Sequence, residues 1–162
     1  MSDLILASDL GTSGCRTVLF DRDCRALASA SVDTPTSHPH PGWAEQQAEQ
    51  WWRAFCTSTR EVIAASGVRP AAVAAVGIDA MSSMALPVDA EGAPLRPGPL
   101  WYDRRASAEA ADLRERLGEA LARIAGNRSD ASNFAPKVLW IKAHEPQVYS
   151  RAAWFLHAGG FL

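Results

Sequence analysis

The sequence predicts an α/β domain, a mixed sheet with flanking helices. Two patterns carry that expectation: short apolar runs separated by turn residues near the start, and later stretches whose apolar residues recur every three or four positions. Composition agrees, since 162 residues at 48% hydrophobic and 21% charged are enough for one domain with its own core.

Leu4 to Ser8 and Arg16 to Phe20 are apolar runs, and Ala26 to Val32 alternates small apolar with polar residues. Three strands in a meander are expected, joined by the turns Asp9-Leu10-Gly11-Thr12-Ser13-Gly14 and Asp21-Arg22-Asp23-Cys24-Arg25. Thr34 to Trp43 carries Pro35, Pro39, Pro41 and Gly42, which predicts a surface loop. Trp51, Trp52, Phe55, Thr59, Val62, Ile63 and Ser66 then share one helical face, with Gly67 placed to end the helix. Both tryptophans are expected to anchor it on the sheet. Val73 to Ile78 predicts a strand, Met84 to Val88 a weaker one containing Pro87, and Asp89-Ala90-Glu91-Gly92 a turn. After the proline-rich stretch Pro94 to Pro99, Ala110, Leu113, Leu117, Leu121 and Ile124 predict an amphipathic helix ended by Gly126-Asn127. A last helix is expected from near Pro136 to just before Pro146. Three meandering strands, a helix and a further strand follow the order of a ribonuclease-H-like unit, the building block of actin-like ATPase domains.

A formal charge of -2, a pI near 6.1 and scattered Lys and Arg argue against a nucleic-acid partner. No apolar run reaches the ~18 residues of a membrane span, and Met1-Ser2-Asp3 lacks the cationic start of a signal peptide, so no membrane partner and a cytoplasmic location are expected. Cys15, Cys24 and Cys56 match neither a zinc knuckle nor a CxxC pair and are read as structural. His38 and His40, with no further ligands nearby, are read as exposed loop residues, as are His144 and His157.

Asp9-Leu10-Gly11-Thr12-Ser13-Gly14-Cys15-Arg16 is the most informative stretch. A carboxylate at a strand end suits Mg²⁺, directly or through water; glycines allow close backbone approach; Thr12 and Ser13 offer donors to phosphate oxygens. Bare phosphate would be repelled by Asp9, so a magnesium nucleotide fits better. No Gly-Lys-Ser/Thr follows, as a Walker A loop requires, and a strand follows where a dinucleotide turn needs a helix. The alternative is a plain glycine-rich hairpin. Ser82 and Ser83, at the end of a strand-like run, are candidates to bind substrate hydroxyls because they both donate and accept.

Asp9 to Asp21 resembles the first signature of the FGGY carbohydrate kinases. Four further blocks resemble that family in order: Pro41-Gly42-Trp43-Ala44-Glu45-Gln46 with Trp51-Trp52; Val76 to Ser83; Leu95-Arg96-Pro97 leading to Trp101-Tyr102-Asp103-Arg104-Arg105-Ala106; and Ala135-Pro136-Lys137-Val138-Leu139-Trp140. The resemblance implies transfer of the γ-phosphoryl of ATP to a sugar or polyol hydroxyl. Asp9 would organise Mg²⁺, and Gly11, Thr12 and Ser13 would contact phosphates. Arg16 would meet a phosphate or remain a solvated strand residue. Trp101 and Asp103 would line the sugar pocket, or else be a core residue and the cap of the helix near Ala106. Glu45 would support the loop near the sugar, and Lys137 is read as a surface or helix-start residue.

Met81-Ser82-Ser83 carries neither the Gln-Met-His of xylulokinases nor the Arg-Glu of glycerol kinases, and it is closer to ribulokinase-like members. Trp101-Tyr102-Asp103 and the Ala135-Pro136-Lys137 helix look more like xylulokinase. A pentulose such as xylulose is the preferred substrate, with ribulose, gluconate or glycerol, or a noncatalytic sugar- or phosphate-binding module, as alternatives. The resemblance places the general-base Asp beyond Leu162 and the adenosine site in a second domain. Residues 1–162 are therefore expected to be the N-terminal part of a first kinase domain, an incomplete unit inactive alone. A homodimer is left open.

Overall fold

The computed structural model describes residues 4–162. In chain order the elements are β1 Leu4–Leu10, β2 Gly14–Phe20, β3 Ala26–Asp33, β4 Glu45–Gln46, α1 Ala48–Ser66, a 3₁₀ turn Pro70–Ala72, β5 Val73–Ala80, β6 Leu86–Val88, β7 Gly98–Pro99, α2 Ser107–Ala125, α3 Phe134–His144, α4 Pro146–Arg151, β8 Trp154–Leu156 and α5 Ala158–Phe161. They form two compact units: the described residues up to Pro35 with Glu49–Met81, and Thr36–Ala48 with Ser82–Phe161.

The first unit holds a sheet of order β3-β2-β1-β5, with β1 antiparallel to β2 and parallel to β5. This is the expected ribonuclease-H-like order. β1 runs two residues past its expected end. Leu10 and Cys15 continue the inward alternation of Leu4, Leu6 and Ser8, and their burial keeps both strands paired to the tip. Leu4, Leu6 and Leu19 close a core with Val62 of α1, each such side chain contributing about 1.5–3 kcal/mol when fully buried.

The inward face of α1 is Trp51, Ala54, Ser58 and Val62. Trp52, expected beside Trp51 as a second anchor, is instead 49% exposed with its ring 5.7 Å from Phe55. One residue is 100° of helical rotation, so adjacent tryptophans do not share a face. Between sheet and helix, buried hydroxyls form a chain, Ser8 Oγ to Thr17 Oγ1 at 2.8 Å and Thr17 Oγ1 to Ser58 Oγ at 2.7 Å. All three cysteines are free, and burial pushes the Cys15 thiol up.

The second unit is assembled from short pieces: β4 pairs antiparallel with β7, and β6 with β8. The apolar stripe expected along α2 does not become a continuous core face, since Ala110 is buried but Ile124 is 87% exposed. Gly118, at φ +47° and ψ -128°, breaks the helix midway and resets its periodicity. α3 begins at Phe134, close to expectation, while α4 and β8 were not anticipated from the sequence.

A buried knot of charge and aromatic rings ties these pieces together. Asp103 is fully buried; its Oδ2 accepts from Ala44 N–H (2.6 Å) and Arg105 Nη2 (2.9 Å), and its Oδ1 accepts from Arg105 N–H and Nε (both 2.9 Å). Arg105 also donates to Glu45 Oε2 (2.7 Å), which Arg96 shares at 2.8 Å. The Arg105 guanidinium lies 3.7 Å from the Trp43 ring centroid, and Trp43 meets Trp140 edge-on at 5.2 Å.

Among the described residues, no helix is long and apolar enough to cross a membrane.

Candidate active site

The phosphate-hairpin candidates lie in the first unit, at the β1–β2 tip. The turn is shorter than the sequence suggested: Gly11 N–H donates to Gly14 O at 2.9 Å, and Ser13 O accepts from Thr34 N–H at 3.0 Å. Gly14 is where close approach requires glycine, because a Cβ there would sit 2.5 Å from Val32 O. Thr12 is half-buried and Ser13 is exposed at the tip. Asp9 and Arg16 face each other across β1 and β2, and Asp9 also pairs in register with Asp79 of β5. All three side chains are exposed, so one row across the sheet runs from the Arg16 cation on β2 to the Asp9 carboxylate on β1 and the Asp79 carboxylate on β5. Asp79 was seen in the sequence only as part of a strand end, since nothing local announces that it will stand beside Asp9.

Asp79 Oδ1 accepts from Ala80 N–H at 2.9 Å. Among the described residues, no hydrogen bond or ion pair involves the Asp9 carboxylate. Among the described residues no group of three or more His, Cys, Asp or Glu could hold a metal alone. Mg²⁺ suits such a place, because it keeps several waters and is held by one or two carboxylates together with substrate phosphates.

The acceptor-side candidates belong to the second unit. Ser82 and Ser83 line a cavity of about 340 Å³ with Asn133, Phe134, Pro136 and His157, closed on one side by apolar residues of α2. His157, expected as a bland loop residue, packs its ring 4.6 Å from that of Phe134 at this cavity. Among the described residues, His157 is the only titratable one that lines it; no Asp, Glu, Lys or Arg does. Ser83 adopts φ +58°, a left-handed conformation that a serine pays for sterically.

Trp101 and Asp103 stand apart from this cavity. Trp101 is 47% exposed, with its ring 5.3 Å from Tyr102, so it is not the core residue of the alternative expectation. Asp103 spends both carboxylate oxygens in the knot, and it does not cap α2, whose N-cap is Ala106 without a side-chain bond. Glu45 supports its loop as expected, through Arg96 and Arg105. Lys137 sits at the start of α3 as expected but not at the surface: it is 1% exposed, and its ammonium donates to Ser83 O (2.8 Å) and Ser132 O (2.6 Å). His38 Nδ1 lies 2.9 Å from Trp43 O, and the His40 ring meets Trp43 edge-on at 4.6 Å. His144 is exposed and stacks on Trp140 at 4.8 Å.

Residues 4–162 match the family described as "FGGY family of carbohydrate kinases, N-terminal domain". A xylulose kinase of Escherichia coli (strain K12) is 34% identical over 146 residues, 90% of this chain and 30% of that protein. A glycerol kinase of Halorhodospira halophila is 34% identical over 150 residues, 91% of this chain and 30% of that protein. Among solved structures, a xylulose kinase from Rhodospirillum rubrum superposes with a TM-score of 0.91 at 30% identity over 98% of this chain and 33% of that one. A gluconate kinase from Lactobacillus acidophilus reaches the same TM-score at 20% identity over 99% of this chain and 32% of that one, a likeness of fold alone. The chain thus spans about a third of the length of the relatives it matches.

Proposed function

The chain belongs to the FGGY family of carbohydrate kinases, and from that premise we propose that it supplies the phosphate hairpin and the acceptor cavity of an ATP-dependent kinase acting on a sugar or polyol hydroxyl, with a pentulose as the preferred acceptor. The observation that carries the proposal is the β1–β2 tip, where the unpaired Asp9 carboxylate lies next to a three-residue turn of backbone and hydroxyl donors. Gly11, Thr12 and Ser13 would meet phosphate oxygens, Asp9 would hold Mg²⁺ directly or through water, and Arg16 stands one strand away. When bound, Mg²⁺ neutralises charge on the transferring phosphoryl group. The protein's own part is positioning, because phosphoryl transfer asks little covalent chemistry of side chains.

Ser82 and Ser83 are proposed to hydrogen-bond acceptor hydroxyls. The absence of Lys and Arg from the cavity wall favours a neutral polyhydroxyl ligand over a sugar acid such as gluconate, whose carboxylate would lack a charged partner. Asp103, with both carboxylate oxygens spent in the knot, is assigned to shaping the second unit, whereas the exposed Trp101 ring keeps its proposed role of packing on the sugar.

The test is ADP formation by the intact gene product with xylulose, ribulose, gluconate and glycerol. Pentulose-dependent turnover is expected, with Asp9→Asn losing Mg²⁺-dependent nucleotide binding. ATP hydrolysis indifferent to all four acceptors would overturn the proposal.

A further inference from the structure

Ser83 is the non-glycine residue at the acceptor cavity with a left-handed backbone, and the structure contains the reason it holds that shape. Its carbonyl oxygen accepts a hydrogen bond from Lys137 Nζ at 2.8 Å. The same ammonium donates to Ser132 O at 2.6 Å and reaches Asn133 O at 3.5 Å. A lysine ammonium has three donors and no acceptor, and here all three point at main-chain carbonyls. Two of the residues so held, Ser83 and Asn133, line the cavity. The Ser132 segment is fixed from its other side as well, since Asp130 Oδ1 accepts from Ser132 N–H at 2.9 Å and Asn133 Oδ1 accepts from Asp130 N–H at 2.8 Å. One buried cation therefore joins two walls of the cavity that lie more than forty residues apart in sequence.

We propose that Lys137 is a positioning residue for the acceptor site: its ammonium clamps the Ser83 turn to the Ser132–Asn133 segment and so sets where the Ser82 and Ser83 hydroxyls stand. This rests on the proposed kinase function for the identity of the ligand, but the clamp itself is a property of the chain. Lys137 is 1% exposed, and among the described residues its ammonium's partners are main-chain carbonyls, with no ion pair to a carboxylate. A buried amine spent on uncharged carbonyls is costly if it only fills space, because a methionine would pack there without desolvating a charge. Burial lowers its pKa to about 8; Asp103 and Asp130 act against that shift, and Arg104 and Arg105 reinforce it. Above that pH the neutral amine has two N–H groups for three carbonyls, so the clamp loosens.

The experiment follows the backbone carbonyl ¹³C resonances of Ser83 and Ser132 in the intact gene product from pH 6 to 10, together with binding of xylulose and ribulose to wild type and Lys137→Met. The two carbonyls are expected to titrate together with the Lys137 ε-methylene. Lys137→Met is expected to weaken pentulose binding about tenfold, the loss of one charge-assisted contact, and to leave the Gly11 and Thr12 amide resonances in place. Carbonyls that stay flat through the Lys137 titration overturn the clamp, and this arm needs no variant, so it decides even if Lys137→Met does not fold. Unchanged pentulose affinity in a folded Lys137→Met overturns the positioning role. Titrating carbonyls in a chain that binds neither pentulose would instead overturn the acceptor-site assignment and leave the clamp standing.

Discussion

Gly14→Ala is the sharpest test of how the phosphate hairpin is built. Gly14 opens β2 opposite Asp33 of β3, and its backbone is not left-handed, so an alanine there meets no dihedral penalty. The obstacle is contact: the added Cβ would lie 2.5 Å from Val32 O, 3.1 Å from Asp33 Cα and 3.2 Å from Val32 C. These are backbone atoms, which cannot rotate away as a side-chain tip does. Restoring ordinary separation needs a shift of about 0.9 Å between β2 and β3 at their closed end, which strains the Thr34 N–H to Ser13 O bond at 3.0 Å. Overpacking of about 1–3 kcal/mol with the loss of one hydrogen bond, about 1 kcal/mol, gives an expected destabilisation near 3 kcal/mol. For a chain of this size that corresponds to a fall in Tm of roughly 6–12 °C by thermal unfolding. Because Ser13 moves with β2, nucleotide affinity should fall in the same variant. A Gly14→Ala protein within 0.5 kcal/mol of wild type would refute the close-approach argument.

Asp103→Asn leaves the Arg105 guanidinium, 1% exposed, without the carboxylate that accepts from both its Nε and its Nη2, and is expected to cost about 3 kcal/mol in urea unfolding because one member of a buried ion pair is left uncompensated; a loss below 1 kcal/mol would mean that Glu45 alone satisfies the arginine. Lys137 has a folded-state pKa of about 8 against an ordinary 10.5, so between those values the unfolded chain binds more protons and stability must rise with pH, by about 3 kcal/mol in all. Taking the difference between wild type and Lys137→Met isolates this contribution from other groups, and a difference that is flat from pH 8 to 10.5 would contradict the burial cost assigned to the amine.

The strands, α1 and the hairpin were legible because their signals are local. Two apolar runs and one alternating stretch mark β1 to β3, and glycines with an acidic residue at a strand end mark the tight turn between β1 and β2. Trp52 was misplaced because a list of apolar residues at helical spacing tolerates both members of an adjacent pair, whereas the sheet accepts one. The α2 stripe failed at Gly118, where a positive φ interrupts a pattern that is periodic in sequence alone. Lys137 and Asp103 were beyond reach for a common reason. Their roles come from partners at Ser83, Ala44 and Glu45, far away in sequence, and neither residue has a neighbour that would mark it as buried. A lysine three residues into a helix reads as solvated unless the backbone it serves is known.

The family-like blocks divide by what they do in the structure. Residues from three of them, Trp43 to Glu45, Arg96 with Asp103 and Arg105, and Trp140, meet in the charge and aromatic knot, so much of what makes those blocks recognisable is architectural. The candidate ligand-binding groups lie elsewhere: at the hairpin tip, where among the described residues Asp9 has no ion-pair partner, and around the cavity lined by Ser82, Ser83, Asn133 and His157. On the proposed function the hairpin serves the nucleotide, whereas the acceptor is met by a few short side chains of a cavity that, among the described residues, no Asp, Glu, Lys or Arg lines. Their identity is free to vary without disturbing the knot. A xylulose kinase and a glycerol kinase match this chain at the same 34% identity, so overall likeness across this unit does not choose between acceptors; that choice falls to the acceptor panel and to variants of the cavity side chains.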